Sequence, residues 1–209
     1  MPIPFFRACL PPLAFAALFA LPAWSASNPA PSGAYVSDPA HSSVLWKVTH
    51  LGLSNYTARF TQMTAELAWD AEHPEQSRIT ATIDPTSVRT DFPFPEKEDF
   101  DKKIGTSEPF LAGKPISFTS TSVKITGANQ GIVAGDLTLR GETHPATIEV
   151  TFNGSMAEQP MEKSPKIGFS GILKFKRSEW GLAPKIKSAG EEVTVIIETE
   201  FQPASAARQ

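Results

Sequence analysis

In the second half of the chain, apolar side chains alternate with polar ones, and this period of two constrains the fold more than any other feature. Ile148, Val150 and Phe152 are separated by glutamate and threonine, and residues 167–175 and 193–201 show the same alternation. Because successive side chains of a β-strand point to opposite faces, each segment has one apolar and one polar face. Many such strands bury their apolar faces together, in a sandwich or a barrel.

Nine runs of this kind, separated by turn-forming residues, predict an antiparallel meander. They lie at residues 34–36, 43–50, 57–69, 78–84, 116–125, 132–140, 146–153, 166–176 and 192–202. We therefore predict an all-β fold, an antiparallel barrel of about eight strands. A barrel of that size is either filled by its own side chains or holds one small ligand, and the pattern leaves both possibilities open.

The segment between residues 84 and 116 breaks the alternation and predicts a short helix with flanking loops. Pro95 can begin a helix, and Phe100 and Ile104 would share one of its faces. An insertion of this length in a compact domain is usually functional or disordered, and its phenylalanines argue against disorder. We expect the helical stretch Glu96–Ile104 to cover one mouth of the barrel as a lid, with Phe94, Phe100 and Ile104 shielding the interior. Such a lid should be removable at little cost to the sheet.

The N-terminus has the features of a secretory signal peptide. Arg7 precedes an apolar stretch at residues 13–21, and residues 23–25 form a small-x-small cleavage pattern. The apolar stretch is too short to span about 30 Å of hydrocarbon. We therefore expect cleavage and a periplasmic location. The predicted organisation is a signal peptide at residues 1–26, a linker at 27–33, the barrel domain at 34–203 and a C-terminal tail at 204–209.

Composition excludes several classes of site. Cys9 is the single cysteine, so the cleaved chain has no disulfide, no thiolate metal site and no cysteine nucleophile. Of 19 basic and 22 acidic residues, loss of Arg7 leaves 18 and 22, a net charge of −4. This charge gives no electrostatic reason to bind nucleic acid or an anionic membrane. The basic cluster at residues 174–187 is typical of a solvated face, with a phosphate site as the alternative.

The residues that commonly carry chemistry form no recognised catalytic or metal motif. None of the four histidines belongs to an H-x-x-x-H pair, and there is no G-x-S-x-G, P-loop or dinucleotide motif. We therefore expect no catalysis, no metal and no cofactor. His50 shares the inward parity of Trp46 and Val48, and a polar group placed in this way can orient a ligand in an apolar pocket. A hydrogen-bonded interior histidine is the alternative.

Six sequence blocks occur in order between residues 34 and 202. They are Asp38–Ser42, Trp46–Gly52, Ile83–Thr90, Lys114–Ser120, Gly135–Pro145, and Gly168-Phe169 together with Lys176–Gly181. The ordered set resembles the YceI-like, polyisoprenoid-binding domain. The resemblance implies an extended antiparallel barrel of lipocalin-like shape that holds a long isoprenoid chain, often in the periplasm and without catalytic residues. Arg59, beside Phe60, and the segment Phe92–Phe100 depart from the family pattern where the mouth or lid would lie.

Together these observations predict a periplasmic protein that sequesters or carries an isoprenoid lipid, such as a polyprenyl chain or an isoprenoid quinone. Transient contact with a membrane or a membrane enzyme would accompany that role. A ligand-free structural or stress-protective barrel is the main alternative, and an enzyme acting on a lipid-like substrate is less favoured. The interior residues predicted to bind the lipid are Val44, Trp46, Val48, His50, Phe60, Phe118, Leu137, Leu139, Phe152 and Phe169.

Overall fold

The computed structural model describes residues 29–206. The predicted signal peptide therefore lies outside the described residues. The ten strands are β1 (Gly33–His50), β2 (Ser54–Phe60), β3 (Met63–Trp69), β4 (Arg78–Ile83), β5 (Val88–Arg89), β6 (Ile116–Ile125), β7 (Gln130–Leu139), β8 (Glu142–Met156), β9 (Lys166–Lys176) and β10 (Ala189–Pro203). Within residues 29–206 there is one α-helix, α1, at Phe100–Thr106, and short 3₁₀ turns lie at Pro74–Gln76, Pro85–Ser87 and Arg177–Trp180. None of the helices among residues 29–206 has the length and apolar character that a membrane crossing needs.

The sheet closes on itself through the first strand. The N-terminal part of β1 pairs with β3, its C-terminal part pairs with β2, and its other edge pairs with β10. From β3 the antiparallel order continues through β4, β6, β7, β8 and β9 to β10. The predicted all-β antiparallel barrel is thus confirmed, with eight strands in the closed wall. The short strand β5 pairs with the end of β2.

In two places the division of the chain into strands differs from the prediction. The chain continues as one strand through Asp38–His41, where proline and turn residues predicted a break, because a bulge there shifts the register with β10 between Ser37 and Ser42. A bulge is one of the few places at which a strand tolerates proline. Conversely, the run at residues 57–69 is divided between β2 and β3, which pair with different halves of β1.

The inward-facing side chains form two apolar clusters. The first surrounds Phe118 and Trp180, and the second surrounds Tyr35 and Phe201. Strands β6 and β7 approach so closely that a Cβ at Gly135 would overlap the Thr119 carbonyl and the Phe118 ring. Glycine at this position therefore allows two neighbouring strands to pack a large ring between them.

Candidate functional site

The first apolar cluster surrounds a cavity of about 480 Å³ inside the barrel. Its wall is mainly apolar and includes eight of the ten residues that the sequence predicted to bind a ligand: Val44, Trp46, Val48, His50, Phe60, Phe118, Leu137 and Leu139. They share the space because antiparallel partners face the same side of a sheet, as in the pairs of Trp46 with Ala58 and Val195. Volumes of about 300–1,000 Å³ are usual for small-molecule sites.

The barrel is hollow at this level. Val44 and Phe118 are buried, but Trp46, Val48 and Phe60 remain partly accessible although they point inward. The accessible surface of these side chains faces the cavity, so the strands do not fill their own interior. The cavity favours the hollow barrel over the filled one, the two alternatives that the alternation pattern left open.

The loop between β9 and β10 forms part of the rim. Leu182 and Ile186 line the cavity, and the buried Trp180 donates from its indole Nε1 to the Leu137 carbonyl at 3.3 Å. Arg177 holds the loop in place, because its guanidinium donates to the carbonyls of Leu182 at 3.1 Å and Ile186 at 2.8 Å. Sequence reasoning missed these rim residues, since the loop has no strand period.

The excursion before β6 also contributes to the cavity wall, but its helix begins later than predicted. Asp99 caps α1 by accepting from the Lys102 amide at 2.9 Å, so the helix starts at Phe100 instead of near Pro95. Phe100 and Ile104 line the cavity, whereas Phe94 does not and exposes 46% of its surface. Of the three predicted lid residues, the structure therefore brings two to the interior.

This segment is more than a removable cover. Ile104 and Leu111 are buried in the first core cluster, and Asp101 accepts hydrogen bonds from the Thr90 amide and hydroxyl at 2.7 and 2.5 Å. A Cβ at Gly105 would lie 2.8 Å from the Pro85 carbonyl oxygen, so helix and turn are in tight contact. Contrary to the prediction made from the sequence, we therefore expect removal of the segment to cost stability, because it would uncover part of the core.

A second cavity, of about 980 Å³, lies towards the other end of the barrel. Phe152 and Phe169, the remaining two predicted ligand residues, line this cavity and pack against Trp69 at centroid distances of 5.9 Å. Five residues line both cavities, namely Ile79, Ile148, Ile197, Thr199 and Phe201. The predicted residues thus line two spaces that meet at a common wall. His50 was predicted to lie in the interior and is instead exposed at the rim, because it is the last residue of β1.

A polar cluster lies apart from both cavities. The Lys166 ammonium is 2.6 Å from Asp38 Oδ2 and 2.8 Å from Glu162, and Lys166 and Asp38 are buried. Ligand atoms of Asp38, His41 and Glu200 lie within 4.8 Å of one another, a spacing that could hold a metal ion. Because Lys166 already neutralises Asp38, this cluster is better described as a buried ion pair that fixes the bulge of β1.

The ionisation of this cluster follows from its contacts. Burial alone would raise the pKa of Asp38, but hydrogen bonds from Lys166, His41 and the Ala40 amide outweigh it and lower the pKa to about 2. Burial likewise opposes the charge of Lys166, and its bonds to Asp38 and Glu162 raise its pKa overall. The hydrogen bond to Asp38 raises the pKa of the exposed His41.

Comparison with known proteins places the chain among similar barrels. Residues 35–201 match the family described as the YceI-like domain. A UPF0312 protein of Pseudomonas fluorescens Pf-5 is 35% identical over 172 residues, covering 77% of this chain and 81% of that protein. Burkholderia cenocepacia BcnA superposes with a TM-score of 0.67 at 20% identity, covering 78% of this chain and 98% of that chain. A polyisoprenoid binding domain from Saccharophagus degradans, implicated in plant cell wall breakdown, gives a TM-score of 0.53 at 14% identity, with 81% and 98% coverage.

Proposed function

The chain belongs to the YceI-like family, and from that premise we propose that it is a binding protein that holds the isoprenoid tail of a lipid inside its barrel. The observation that carries the proposal is the apolar cavity of about 480 Å³, whose wall is made by inward-facing strand residues that do not fill it. The description of the Saccharophagus degradans neighbour as a polyisoprenoid binding domain supports the choice of ligand class.

The wall explains why such a tail would bind. Removal of apolar surface from water is favourable by about 25 cal/mol per Å². A long hydrocarbon chain can therefore bind tightly with few hydrogen bonds. The polar groups of the cavity are few, and Thr49, His50 and Ser188 belong to its rim. The tail would occupy the interior, and its polar end would lie near these residues.

The proposed role is carriage or sequestration without catalysis, in the periplasm after export. The motifs of the sequence offer no nucleophile and base pair, and the cavity wall is dominated by aliphatic and aromatic side chains. A ligand-free structural barrel is disfavoured, because packing that served stability alone would leave few voids larger than a water molecule.

Mass spectrometry of organic extracts tests the cargo directly. Protein purified from its own host should release an isoprenoid lipid in a stoichiometric amount, and the delipidated protein should take up the same lipid. Extracts without any lipid, from protein that also fails to take one up, would refute the proposal.

Trp46 gives a second measurement, since it faces the cavity and lies 6.1 Å from Tyr56 between ring centroids. Its fluorescence, obtained as the difference between wild type and Trp46→Phe, should change on addition of an isoprenoid alcohol. Trp46→Ala should weaken lipid binding at least tenfold, with a smaller loss of stability than the roughly 3–5 kcal/mol of a fully packed tryptophan. A loss of about 3–5 kcal/mol in unfolding free energy, with unchanged lipid binding, would contradict the placement of Trp46 in the cavity wall.

A further inference from the structure

Two solvent-exposed leucines directly follow Thr49 and His50, which line the first cavity. Leu51 and Leu53, in the turn between β1 and β2, expose 62% and 85% of their surface. Leu51 has a φ of +53°, in the left-handed region that favours glycine or asparagine. Neither core packing nor turn geometry therefore accounts for a leucine at this position.

A basic loop lies directly beside this turn. The Leu51 amide donates to the Ser188 carbonyl at 2.8 Å, which fixes the turn against the segment before β10. In that segment Lys185 and Lys187 are exposed, while Ile186 between them lines the cavity. Apolar and basic side chains thus border the same opening.

In the described part of the chain, no direct ion pair offsets the charge of these two lysines, Lys185 and Lys187. The neighbouring Glu191 is engaged, because it accepts from the Ser178 amide at 2.9 Å and lies 3.9 Å from Arg177. Lys185 and Lys187 therefore contribute unpaired positive charge beside the turn, although the whole chain carries a net charge of −3.

We propose that this mouth patch, defined as Leu51, Leu53, Lys185 and Lys187, docks the protein on an anionic lipid bilayer. The leucines would enter the interface and the lysines would contact lipid phosphates. Such a combination is typical of peripheral membrane contacts, whereas lysine is depleted at protein–protein interfaces. The net negative charge of the chain gave no reason to expect membrane binding, but at this end of the barrel the two unpaired lysines provide a local positive charge.

Docking in this orientation would turn the cavity towards the membrane. Thr49, His50 and Ile186 line the cavity and flank the mouth patch in sequence. A tail could then pass between hydrocarbon and barrel with little exposure to water. The inference extends the proposed function, but docking can be measured on delipidated protein and without any cargo.

Vesicle co-sedimentation tests the patch. Wild type should bind vesicles of phosphatidylcholine and phosphatidylglycerol more tightly than vesicles of phosphatidylcholine alone, and added salt should remove the difference. Lys185→Gln with Lys187→Gln should lower binding to anionic vesicles about 25-fold, at about fivefold for each lysine. Leu51→Asn with Leu53→Ser should lower it at least roughly tenfold, with asparagine chosen to keep the backbone of the turn.

Matched controls come from elsewhere on the barrel. Met161, at the opposite end, exposes 86% of its surface, so Met161→Ser removes a comparable apolar group. Lys124→Gln with Lys174→Gln removes the same charge from exposed strand positions. Both controls should bind vesicles like wild type, and thermal unfolding should show that all variants are folded.

Wild type that does not bind anionic vesicles, or controls that lose as much binding as the patch variants, would overturn the inference. If the purified protein nevertheless releases an isoprenoid lipid on organic extraction, the proposed lipid-binding function would still be supported. Conversely, docking by a protein that yields and takes up no lipid would support the patch and refute the cargo.

Discussion

A larger side chain in the first cavity should raise the free energy of unfolding and should also hinder binding of the proposed ligand. Ala81 on β4 pairs with Ala65 on β3, and both small side chains line the cavity, so Ala81→Leu has free space above its neighbour. In a packed core, the same enlargement would force strain and cost about 1–3 kcal/mol. The sign of the stability change therefore distinguishes a hollow barrel from a filled one.

The size of the gain follows from the atoms added. Leucine adds three carbons to alanine, which at about 0.8 kcal/mol each gives at most about 2.4 kcal/mol on burial. Loss of side-chain freedom takes back about 0.5–1 kcal/mol, so the net gain in unfolding free energy is about 1.5 kcal/mol. For a domain of this size, that corresponds to a melting temperature higher by about 3–6 °C.

Calorimetry and denaturant unfolding of delipidated protein measure this gain, and titration with an isoprenoid alcohol measures the loss of affinity, which should be at least about tenfold. Ala68→Leu is the matched control, since Ala68 is exposed on the same hairpin and the change should stay within about 0.5 kcal/mol. A lower melting temperature for Ala81→Leu, with the control unchanged, would refute the hollow interior.

Two further predictions concern stability. The low pKa of Asp38 stabilises the fold above the ordinary carboxyl pKa, so about 2 kcal/mol of unfolding free energy should disappear as the pH falls from about 5 to 1. Urea unfolding should show this loss in wild type and a flatter profile in Asp38→Asn, and parallel profiles would contradict the assignment. Ile104→Ala should cost about 2–5 kcal/mol, because Ile104 is buried with the main core. A cost below about 0.5 kcal/mol would mean that α1 is a detachable lid after all.

The strand pattern predicted most of the barrel and its interior. Parity alone placed Trp46 and Leu137 inward, since side-chain direction in a strand depends only on register. The same rule could not show that Phe152 and Phe169 face a different cavity from Trp46, because the division depends on how side chains meet across the barrel.

The parts that sequence reasoning missed depend on contacts between distant segments. The sequence predicted separate strands at residues 34–36 and 43–50, but Lys166 on β9 holds Asp38 in one continuous, bulged strand. The helix α1 starts where Asp99 caps it by accepting from the Lys102 amide. In the sequence, Pro95 was an equally plausible helix start. The rim loop was missed because Arg177 binds its carbonyls, and neither propensity nor periodicity reports such bonds.

The hydrogen bonds of Arg177 also affect which ligands the first cavity can accept. It lines the first cavity, yet its donors are already bound to loop carbonyls, including those of Gly190, Leu182 and Ile186. The charge of Arg177 is therefore committed to the architecture, and Lys103, which also lines the cavity, is paired with Glu98 at 2.6 Å.

We therefore expect the apolar wall to discriminate among tails mainly by their volume, while Thr49, His50 and Ser188 at the rim remain for a polar end. One buried methylene changes affinity by about fourfold while space remains, and excess length would have to protrude from the barrel or enter the adjoining second cavity. Under the proposed function, the depth of the barrel would thus set the length of the tail that binds most tightly.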